Sequence, residues 1–380
     1  MKTTSGFTIR SLILAAALSV GIGLVSPAFG QTRSYLIGPN GEGVTQLRAF
    51  GGDFHASAVN DAGQVVGNDI DDGSSFITGP NGVGATFIGL EIDFSPRSIT
   101  GHGINEAGRV GGTLFTTNER AFITGPNGVG VTDLRIPLEG LGASASDINN
   151  TGRVVGVGQK VSGPPDFAHL FYAFITGPDG AGVTDLGTLG GSHSFARGIN
   201  DAGQVVGGSN TTGGESHAFI TGPDGVNMTD LGTLGGSFSE AAGINDAGQV
   251  VGSSTPTGTD FDSRHAFITG PGGVNMTDLG TLGGSFSEAI GINDAGQVVG
   301  RSSTAGGEVH AFITGPGGVG MTDLNSLVNL PDGVILTAAT GINNLGQVIV
   351  LSIPEPESYA LMLAGLALVG FIVRNKKQVG

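Results

Sequence analysis

An all-β fold, a seven-bladed β-propeller, is predicted by three observations: a module that recurs seven times, a high glycine content, and short apolar runs between turn signals. The module is represented by HAFITGPGGVNMTDLGTLGGSFSEAIGINDAGQVVG at 265–300. Glycine makes up 72 of 380 residues, well above the usual ~7%. Short runs of Val, Ile, Thr and Phe between Gly, Pro and Asn indicate many short strands joined by tight turns.

Two anchors fix the number of copies. The Asn of the GIN(D/N)xGQVVG phrase recurs every 44 to 51 residues, at Asn60, Asn105, Asn149, Asn200, Asn245, Asn293 and Asn343. The aromatic residue of the AFITGP phrase recurs at Tyr35, Phe76, Phe122, Phe174, Phe219, Phe267 and Phe312. A fixed period of ~40–50 residues is typical of propellers and other repeat arrays.

One copy, at 217–252, predicts four strands and two hairpins. HAFITG is the first strand, GPDG its turn and VNMTDLGTL the second strand. FSEAAGI is the third strand, NDAG the second turn and QVVGSS the fourth strand. Pro presets φ in the first turn, and the glycines supply the left-handed conformations that the return requires. Four strands are the content of one propeller blade.

The ends of the array distinguish a ring from a stack. The array opens at Tyr35 with an AFITG-type hairpin and ends at 340–351 with a GINNLGQVIV-type hairpin, so each end carries half a unit. Pairing of these halves into one blade would close a ring and remove exposed strand edges. A β-solenoid is the alternative, but it would carry capping segments, and none is visible between Gln31 and the first hairpin.

The recurring apolar side chains are predicted to fill the space between adjacent sheets. In the copy at 217–252 these side chains are Phe219, Ile220, Leu231, Leu234, Ile244, Val250 and Val251. A Phe series that stacks sugars or bases is the alternative, which the apolar flanking positions disfavour. Copies 1 to 3 depart most from the repeat, so specificity is expected there first. Insertions at 161–170 and 255–264 would lie on one rim.

Composition excludes several classes of site. There is no Cys and no Trp, so the chain has no disulfides and no thiolate metal sites. The formal charge of −16 repels nucleic acid and anionic lipid and favours solubility outside the cell. GxSxG, HExxH and P-loop motifs are absent, which predicts a protein without catalytic activity or cofactor. Paired carboxylates for glycosidase chemistry stay open, because they would come from different copies.

Three groups of residues have the side chains of metal ligands. Three histidines recur in register, one per module: His217, His265 and His310. Equivalent positions in successive blades lie far apart, so half-exposed strand histidines are expected rather than a zinc site. Three aspartates recur in the NDAG turns, where turn chemistry accounts for them: Asp201, Asp246 and Asp294. Asp69, Asp71 and Asp72 faintly resemble a calcium loop but lack its bidentate Glu.

Residues 1–30 have the features of a secretory signal peptide. Lys2 and Arg10 form the basic region, 12–25 the apolar region, and small residues precede a predicted cut between Gly30 and Gln31. A retained anchor is the alternative, but the apolar run is shorter than the ~20 residues that a spanning helix needs. The propeller is therefore predicted to occupy 31–352.

From 353 to 380 the composition changes. An apolar run at 359–373 is predicted as a single transmembrane helix; it would span ~22 Å, which is short for a ~30 Å hydrocarbon core. The positive-inside rule places the basic end in the cytoplasm and the repeats outside. The triplet before the run and the basic residues after it are Pro354, Glu355, Pro356, Arg374, Lys376 and Lys377.

Both parts of the chain resemble known families. The triplet, the short hydrophobic helix and the basic end, in this order, resemble a PEP-CTERM sorting signal. The resemblance implies an exosortase, a membrane cysteine transpeptidase, as partner, in a Gram-negative bacterium that makes exopolysaccharide. The His-Ala-Phe strings at His217, His265 and His310 resemble the HAF family of extracellular repeats over about 320 residues. That resemblance carries over no catalytic residue, because the family is characterised by its repeat and its location.

These features predict an exported, surface-sorted, non-catalytic protein that binds or supports the cell envelope or the exopolysaccharide matrix. The export machinery would carry it across the inner membrane, where the C-terminal helix anchors it until an exosortase acts. Its final place would be the cell surface or the medium, and extracellular polysaccharide is a predicted partner. The alternative is a propeller enzyme, a glycoside hydrolase or lyase acting on extracellular polysaccharide, with its site on the divergent copies 1 to 3.

Overall fold

A computed structural model describes residues 32–49, 54–69, 73–89, 98–136, 141–161, 169–330 and 334–354. Within these ranges the regular elements are β-strands, numbered here in chain order, and 3₁₀ turns of three residues, with no α-helix. The predicted all-β class is therefore confirmed. The predicted signal peptide at 1–30 and the predicted helix at 359–373 lie outside the described residues. Among the described residues, no helix has the length and apolar character needed to cross a membrane.

The strands pair in antiparallel groups of four. The inner strands are β3 His55–Val59, β7 Ser98–Ile104, β11 Ala143–Ile148, β15 Gly190–Ile199, β19 Gly235–Ile244, β23 Gly283–Ile292 and β27 Val334–Ile342. The second strands are β4 Val65–Asn68, β8 Val110–Phe115, β12 Val154–Val161, β16 Val205–Thr211, β20 Val250–Pro256, β24 Val298–Thr304 and β28 Val348–Pro354. The third strands are β1 Arg33–Ile37, β5 Ser75–Thr78, β9 Glu119–Thr124, β13 His169–Thr176, β17 Ser216–Ile220, β21 His265–Ile268 and β25 Val309–Ile313. The short outer strands are β2 Val44–Gln46, β6 Ala85–Phe87, β10 Val131–Asp133, β14 Val183–Asp185, β18 Thr229–Asp230, β22 Thr277–Gly280 and β26 Thr322–Asp323.

Each group joins the second hairpin of one copy to the first hairpin of the next. β23, β24, β25 and β26 pair in this order, and the group β27, β28, β1 and β2 spans the two ends of the array. Two groups, β15 to β18 and β19 to β22, are linked by one parallel residue pair, Ser216 with Phe238. Along the series each inner strand contacts the next, and β27 contacts β3.

The sequence-based unit at 217–252 is wrong in phase. Its first strand, β17, pairs with β16 of the preceding copy, and its last strand, β20, pairs with β21 of the following copy. The physical reason is the backbone between β18 and β19. Gly232 takes a positive φ and turns the chain out of the sheet after Asp230, so β19 begins the next group. β20 pairs antiparallel with β21 over four residue pairs, although eight residues separate the two strands.

The outer strands are shorter than the sequence indicates. The predicted strand VNMTDLGTL pairs only at Thr229–Asp230, and the following strand begins at Gly235 rather than Phe238. Gly232 takes a positive φ of 72° directly after the pair, and its N–H donates to Asp230 Oδ1 at 2.7 Å. The backbone therefore turns away from the sheet two residues after Asp230.

The G-P-x-G turns adopt a left-handed conformation at the third residue, as type II turns require. That residue is Asn, Asp or Gly, with φ between 53° and 73°, at Asn40, Asn81, Asn127, Asp179, Asp224, Gly272 and Gly317. In six groups the glycine after it donates its N–H to the NDAG-type turn beside it, as Gly225 does to Gly203 O at 3.1 Å. In the group that spans the ends, Gly41 N–H donates to Gly38 O instead, and a cavity of about 350 Å³ adjoins this turn.

The first and last hairpins of the described chain pair with each other. β1 lies antiparallel to β28 over five residue pairs, from Arg33 with Ser352 to Ile37 with Val348. β28 continues to Pro354, which is opposite Val334. The predicted boundary at 352 therefore falls two residues before the end of the last strand.

Clusters of buried apolar residues lie between adjacent groups, where the core was predicted. In one cluster, Ile220 from one group packs with Val250 and Phe267 from the next. Phe219 and Val251 are also fully buried. Leu231, Leu234 and Ile244 are half-buried and pack against the same cluster. The predicted core positions are therefore confirmed, and three of the seven lie at the margin of the core.

Candidate functional site

A ladder of asparagine side chains connects the ends of the inner strands. We call it the asparagine ladder: Asn60, Asn105, Asn149, Asn200, Asn245, Asn293 and Asn343. Each Nδ2 donates to the main-chain oxygen of the next ladder residue at 2.9–3.2 Å. The last bond runs from Asn343 to Asn60, so the series returns to its first member. The ladder residues are at most 5% exposed.

The residues that follow the ladder form a second series, which we call the acidic ring. Its members are Asp61, Glu106, Asn150, Asp201, Asp246, Asp294 and Asn344. Each side-chain oxygen accepts the main-chain N–H of the preceding member at 2.7–3.1 Å, and Asp61 accepts from Asn344. Five carboxylates thus surround an axial cavity of about 210 Å³.

These contacts correct one interpretation of the sequence. Asp201 and Asp246 lie in the NDAG turns as predicted, but their carboxylates do not hold their own turns. Asp246 Oδ1 accepts from Asp201 N–H in the preceding copy, while Asn245 Oδ1 accepts from Gln249 N–H within the turn. The Asn holds its own turn and the Asp connects copies. Local turn chemistry therefore accounts for the asparagines and not for the aspartates.

The acidic ring is electrostatically crowded. Burial raises the pKa of Glu106 and of Asp246. Neighbouring carboxylates add to this effect: Asp61 and Asp201 act on Glu106, and Asp201 and Asp294 act on Asp246. The main-chain N–H groups that the carboxylates accept act in the opposite direction, because they stabilise the ionised form.

Asp147 places one further carboxylate at the axial cavity. It occupies the residue before the Ile of the repeat phrase, where five copies have Gly and copy 1 has Ala. Its Oδ1 accepts from Ile148 N–H at 2.8 Å, and its Oδ2 from Ile199 N–H in the next group at 3.1 Å. A Cβ at Gly103 would lie 2.5 Å from Asp147 Oδ1. The carboxylate thus fills space that a neighbouring glycine leaves open.

Burial raises the pKa of Asp147 to about 7, against the opposing effect of its two N–H donors. Between pH 4 and 7 the folded chain therefore holds a proton that the unfolded chain has released, so the free energy of unfolding falls as pH rises. We expect the free energy of unfolding of Asp147→Asn to fall less between pH 4 and 7 than that of the unmodified chain. The difference should be a few kcal/mol at most, since each pKa unit corresponds to about 1.4 kcal/mol. Urea unfolding between pH 4 and 8 measures it. Asp260→Asn in the exposed insertion is the control, and an unchanged slope in Asp147→Asn would contradict the assignment.

A second cavity, of about 520 Å³, also lies among the inner strands. The inner-strand residues that line it precede, in each strand, the residues that line the axial cavity. We call this second cavity the vestibule; its polar lining includes His102, Ser146, Arg197, Glu240, Glu288 and Arg301. Arg197 Nε donates to Glu240 Oε1 at 2.9 Å. Arg301 donates through Nε and Nη2 to Glu288 Oε2 at 2.9 and 2.7 Å. Burial lowers the pKa of His102, so its ring is neutral at pH 7.

Aromatic rings and guanidinium groups adjoin the vestibule. We call this set the aromatic–arginine cluster: Phe238, Phe261, Arg264, Phe286 and Arg301. The Arg264 guanidinium carbon lies 4.7 Å from the ring centroids of both Phe261 and Phe286. Phe238 meets Phe261 edge-on at 4.8 Å, and Arg301 lies 5.6 Å from the Phe286 ring. Arg301 belongs to both the vestibule and the cluster, so the two are continuous.

The histidines in register do not converge. His217, His265 and His310 are half-buried, as predicted. Each Nδ1 bonds to the Asp thirteen residues later, at 2.6–2.9 Å, and so links the third strand of a group to its outer strand. These aspartate partners were not predicted from the sequence, although the TD of the repeat marks them. No group of three or more His, Cys, Asp or Glu suited to a metal ion occurs within the described ranges.

Other predicted site residues fall mostly outside the described residues. Asp69 is described and Asp71 and Asp72 are not, so the calcium hypothesis stays untested. Of the sorting residues, Pro354 ends β28, and the rest lie beyond the described chain: Glu355, Pro356, Arg374, Lys376 and Lys377. The predicted cut between Gly30 and Gln31 also lies outside the described residues.

Asp147 and the vestibule pairs were not identified from the sequence. The change from GIN to DIN in copy 3 is the signal for Asp147, because it replaces a glycine that five copies share. The paired charges gave no comparable signal. Arg197 and Glu240 come from copies 4 and 5, and only the contact between groups brings them together.

A PEP-CTERM protein-sorting motif matches residues 352–377. The motif begins within β28, and it implies export and an exosortase as the processing partner. The comparison with curated proteins gave no match.

Several solved structures are similar over much of the chain. Putative TolB from Agrobacterium tumefaciens is 13% identical with a TM-score of 0.47, covering 66% of this chain and 89% of that one. TolB from Acinetobacter baumannii is 12% identical with a TM-score of 0.46, covering 93% and 71%. Virginiamycin B lyase from Staphylococcus aureus is 8% identical with a TM-score of 0.47, covering 85% and 99%.

Proposed function

We propose that this protein is exported, sorted to the cell surface, and acts there as a non-catalytic binding or structural component of the envelope or exopolysaccharide matrix. Its framework would be the closed, seven-bladed β-propeller predicted for 31–352, with β28 extending to Pro354. The observation that carries the proposal is the sorting motif at 352–377, which begins within the last strand of the array.

The asparagine ladder supports a closed ring over a solenoid. In a stack, the last copy would have no following copy to accept its Nδ2. Here Asn343 donates to Asn60 across 283 positions of sequence, at 2.9 Å. Thr340 Oγ1 also donates to Ala56 O at 3.2 Å, so the first and last inner strands touch at two levels. In a closed ring every group has a neighbour on both faces, so neither end of the array exposes an apolar face, which suits a chain that works outside the cell.

The position of the sorting motif gives a test of export. We expect the full chain to be found in the membrane fraction and then at the surface or in the medium. A chain that ends at Pro354 keeps β28 intact, since Pro354 is opposite Val334, and should be exported but lost from the membrane fraction. Fractionation of producing cells measures both. A full chain confined to the cytoplasm, or a membrane pool unaffected by the truncation, would refute the proposal.

The ion pairs of the vestibule support a binding role. A glycosidase carboxylate pair needs one protonated acid beside one ionised group. Glu240 and Glu288 each accept hydrogen bonds from an arginine, so the vestibule presents two arginine–carboxylate pairs rather than two free carboxylates.

One observation favours the enzymatic alternative, a glycoside hydrolase or lyase. Asp147 comes from the divergent copy 3, and its pKa of about 7 lies in the range of a general acid. If Asp147 acts as a general acid on polysaccharide, the purified chain will release reducing ends from that polysaccharide, and Asp147→Asn will abolish the release. Binding without turnover is the result expected here.

A further inference from the structure

We propose that the vestibule and the aromatic–arginine cluster together form the binding site for one chain of a neutral polysaccharide. The inference rests on the proposed surface location and extends it by naming the site and the class of ligand. It goes beyond sorting, because none of the residues of the vestibule and the cluster belongs to the motif at 352–377.

The aromatic rings supply the stacking component. Phe261 is 52% exposed although it is large and apolar, and it projects from the insertion at 255–264. Phe238 and Arg264 contact the Phe261 ring on two sides and hold it in place. Binding a ligand to this ring therefore costs little further side-chain entropy. A fixed, exposed ring beside a polar cavity is suited to the apolar C–H face of a pyranose, since aromatic side chains combine a large apolar face with defined geometry.

The vestibule supplies hydrogen bonds of both kinds. A sugar hydroxyl donates one hydrogen bond and accepts others, so its best partners offer donors and acceptors side by side. The pairs Arg197–Glu240 and Arg301–Glu288 do so, because each guanidinium has N–H groups left over and each carboxylate has a second oxygen. Ser144, Ser146 and Ser253 also line the cavity and add hydroxyls.

Charge selects a neutral ligand over an anionic one. Within the cavity Glu240 pairs with Arg197 and Glu288 pairs with Arg301, and burial keeps His102 uncharged at pH 7. Glu288 also lies 3.6 Å from Arg264, so the combined site has three arginines and two carboxylates. Each arginine therefore already has a carboxylate partner that a uronate or sulfate group would have to displace. The chain as a whole carries −16, which repels a polyanion at long range.

The experiment is affinity electrophoresis of the full chain, kept in mild detergent, through gels that contain dextran as a neutral glucan or alginate as a uronate polymer. We expect dextran to retard the chain and alginate not to. Phe261→Ala and Arg301→Ala should each weaken dextran binding by about tenfold, as the loss of one stacking or fork contact predicts. Arg264→Lys keeps the charge but loses the flat guanidinium, and should weaken binding less.

Leu345→Ala removes an exposed apolar side chain at the turn beside the acidic ring and serves as the matched control. Dextran binding that Phe261→Ala and Arg301→Ala leave unchanged would overturn the site. Retardation by alginate alone would overturn the ligand class. A chain that fractionates to the surface but binds neither polymer would overturn this inference and leave the proposed location intact, because fractionation tests that location separately.

Discussion

Phe267→Ala is expected to lower the free energy of unfolding by about 3–5 kcal/mol, the usual cost of removing a fully buried aromatic ring. Phe267 has no exposed surface and lies opposite Gly252 on the adjoining strand. It packs with Val206 and Ile220 of the neighbouring group. The ring therefore contributes to the contact between two groups, and its loss leaves a cavity that the rigid sheets cannot close.

Equilibrium unfolding in urea, followed by far-ultraviolet circular dichroism, measures this effect. Val274→Ala is the matched control, because Val274 is 54% exposed on the turn that follows the same strand. The control should change stability by less than about 0.5 kcal/mol. If Phe267→Ala unfolds at the same urea concentration as the unmodified chain, its burial between the groups is refuted.

Asn343→Asp and Asn245→Asp are expected to destabilise the chain equally, each by about 3 kcal/mol at pH 7. Either change replaces the Nδ2 donor with a carboxylate oxygen facing a main-chain oxygen, while Oδ1 can still accept its own turn's N–H. The buried acceptor across the ladder is then left without a donor, and a charge is added beside it. The partner is Asn60 for one residue and Asn293 for the other.

The comparison between these two variants tests closure of the ring. In an open array Asn343 would have no following copy, and its substitution would cost far less than the same change at Asn245. Asn227→Asp, at an exposed residue with a φ of 55°, controls for the added charge. Thermal unfolding at pH 7 and pH 4 gives a second criterion. Protonation of the introduced carboxyl at low pH restores one donor, so both ladder variants should recover part of their stability.

The fold followed from the sequence to a large extent because a repeat is a pattern that needs no structure to be counted. The seven Asn and seven aromatic anchors set the strand content, the turns and the buried positions such as Phe219 and Val250. The phase of the groups did not follow. From the sequence alone, a four-stranded group could begin with either hairpin of a copy. Only the pairing of β20 with β21 shows that it begins with the second hairpin.

The candidate site was far less predictable. Residues of the vestibule come from several copies, and Arg197 reaches Glu240 across 43 residues of sequence. The aromatic residues of the aromatic–arginine cluster do not belong to the recurring Phe series of the AFITGP phrase, because that series is buried. Phe238 and Phe286 lie in the first half of the inner strands β19 and β23, and Phe261 belongs to an insertion that breaks the period.

The sequence by itself determined the number of modules, the all-β class, the buried face of each strand and the sorting motif, because these depend on local pattern and composition. The tertiary structure alone decided which hairpins share a sheet, that the Asp of each NDAG turn bonds to another copy, and where charges pair beside aromatic rings. Those features depend on contacts that range from 13 residues of sequence, between Arg301 and Glu288, to 283 residues, between Asn344 and Asp61. A repeat makes every copy locally alike, so local pattern carries no information about which copies meet.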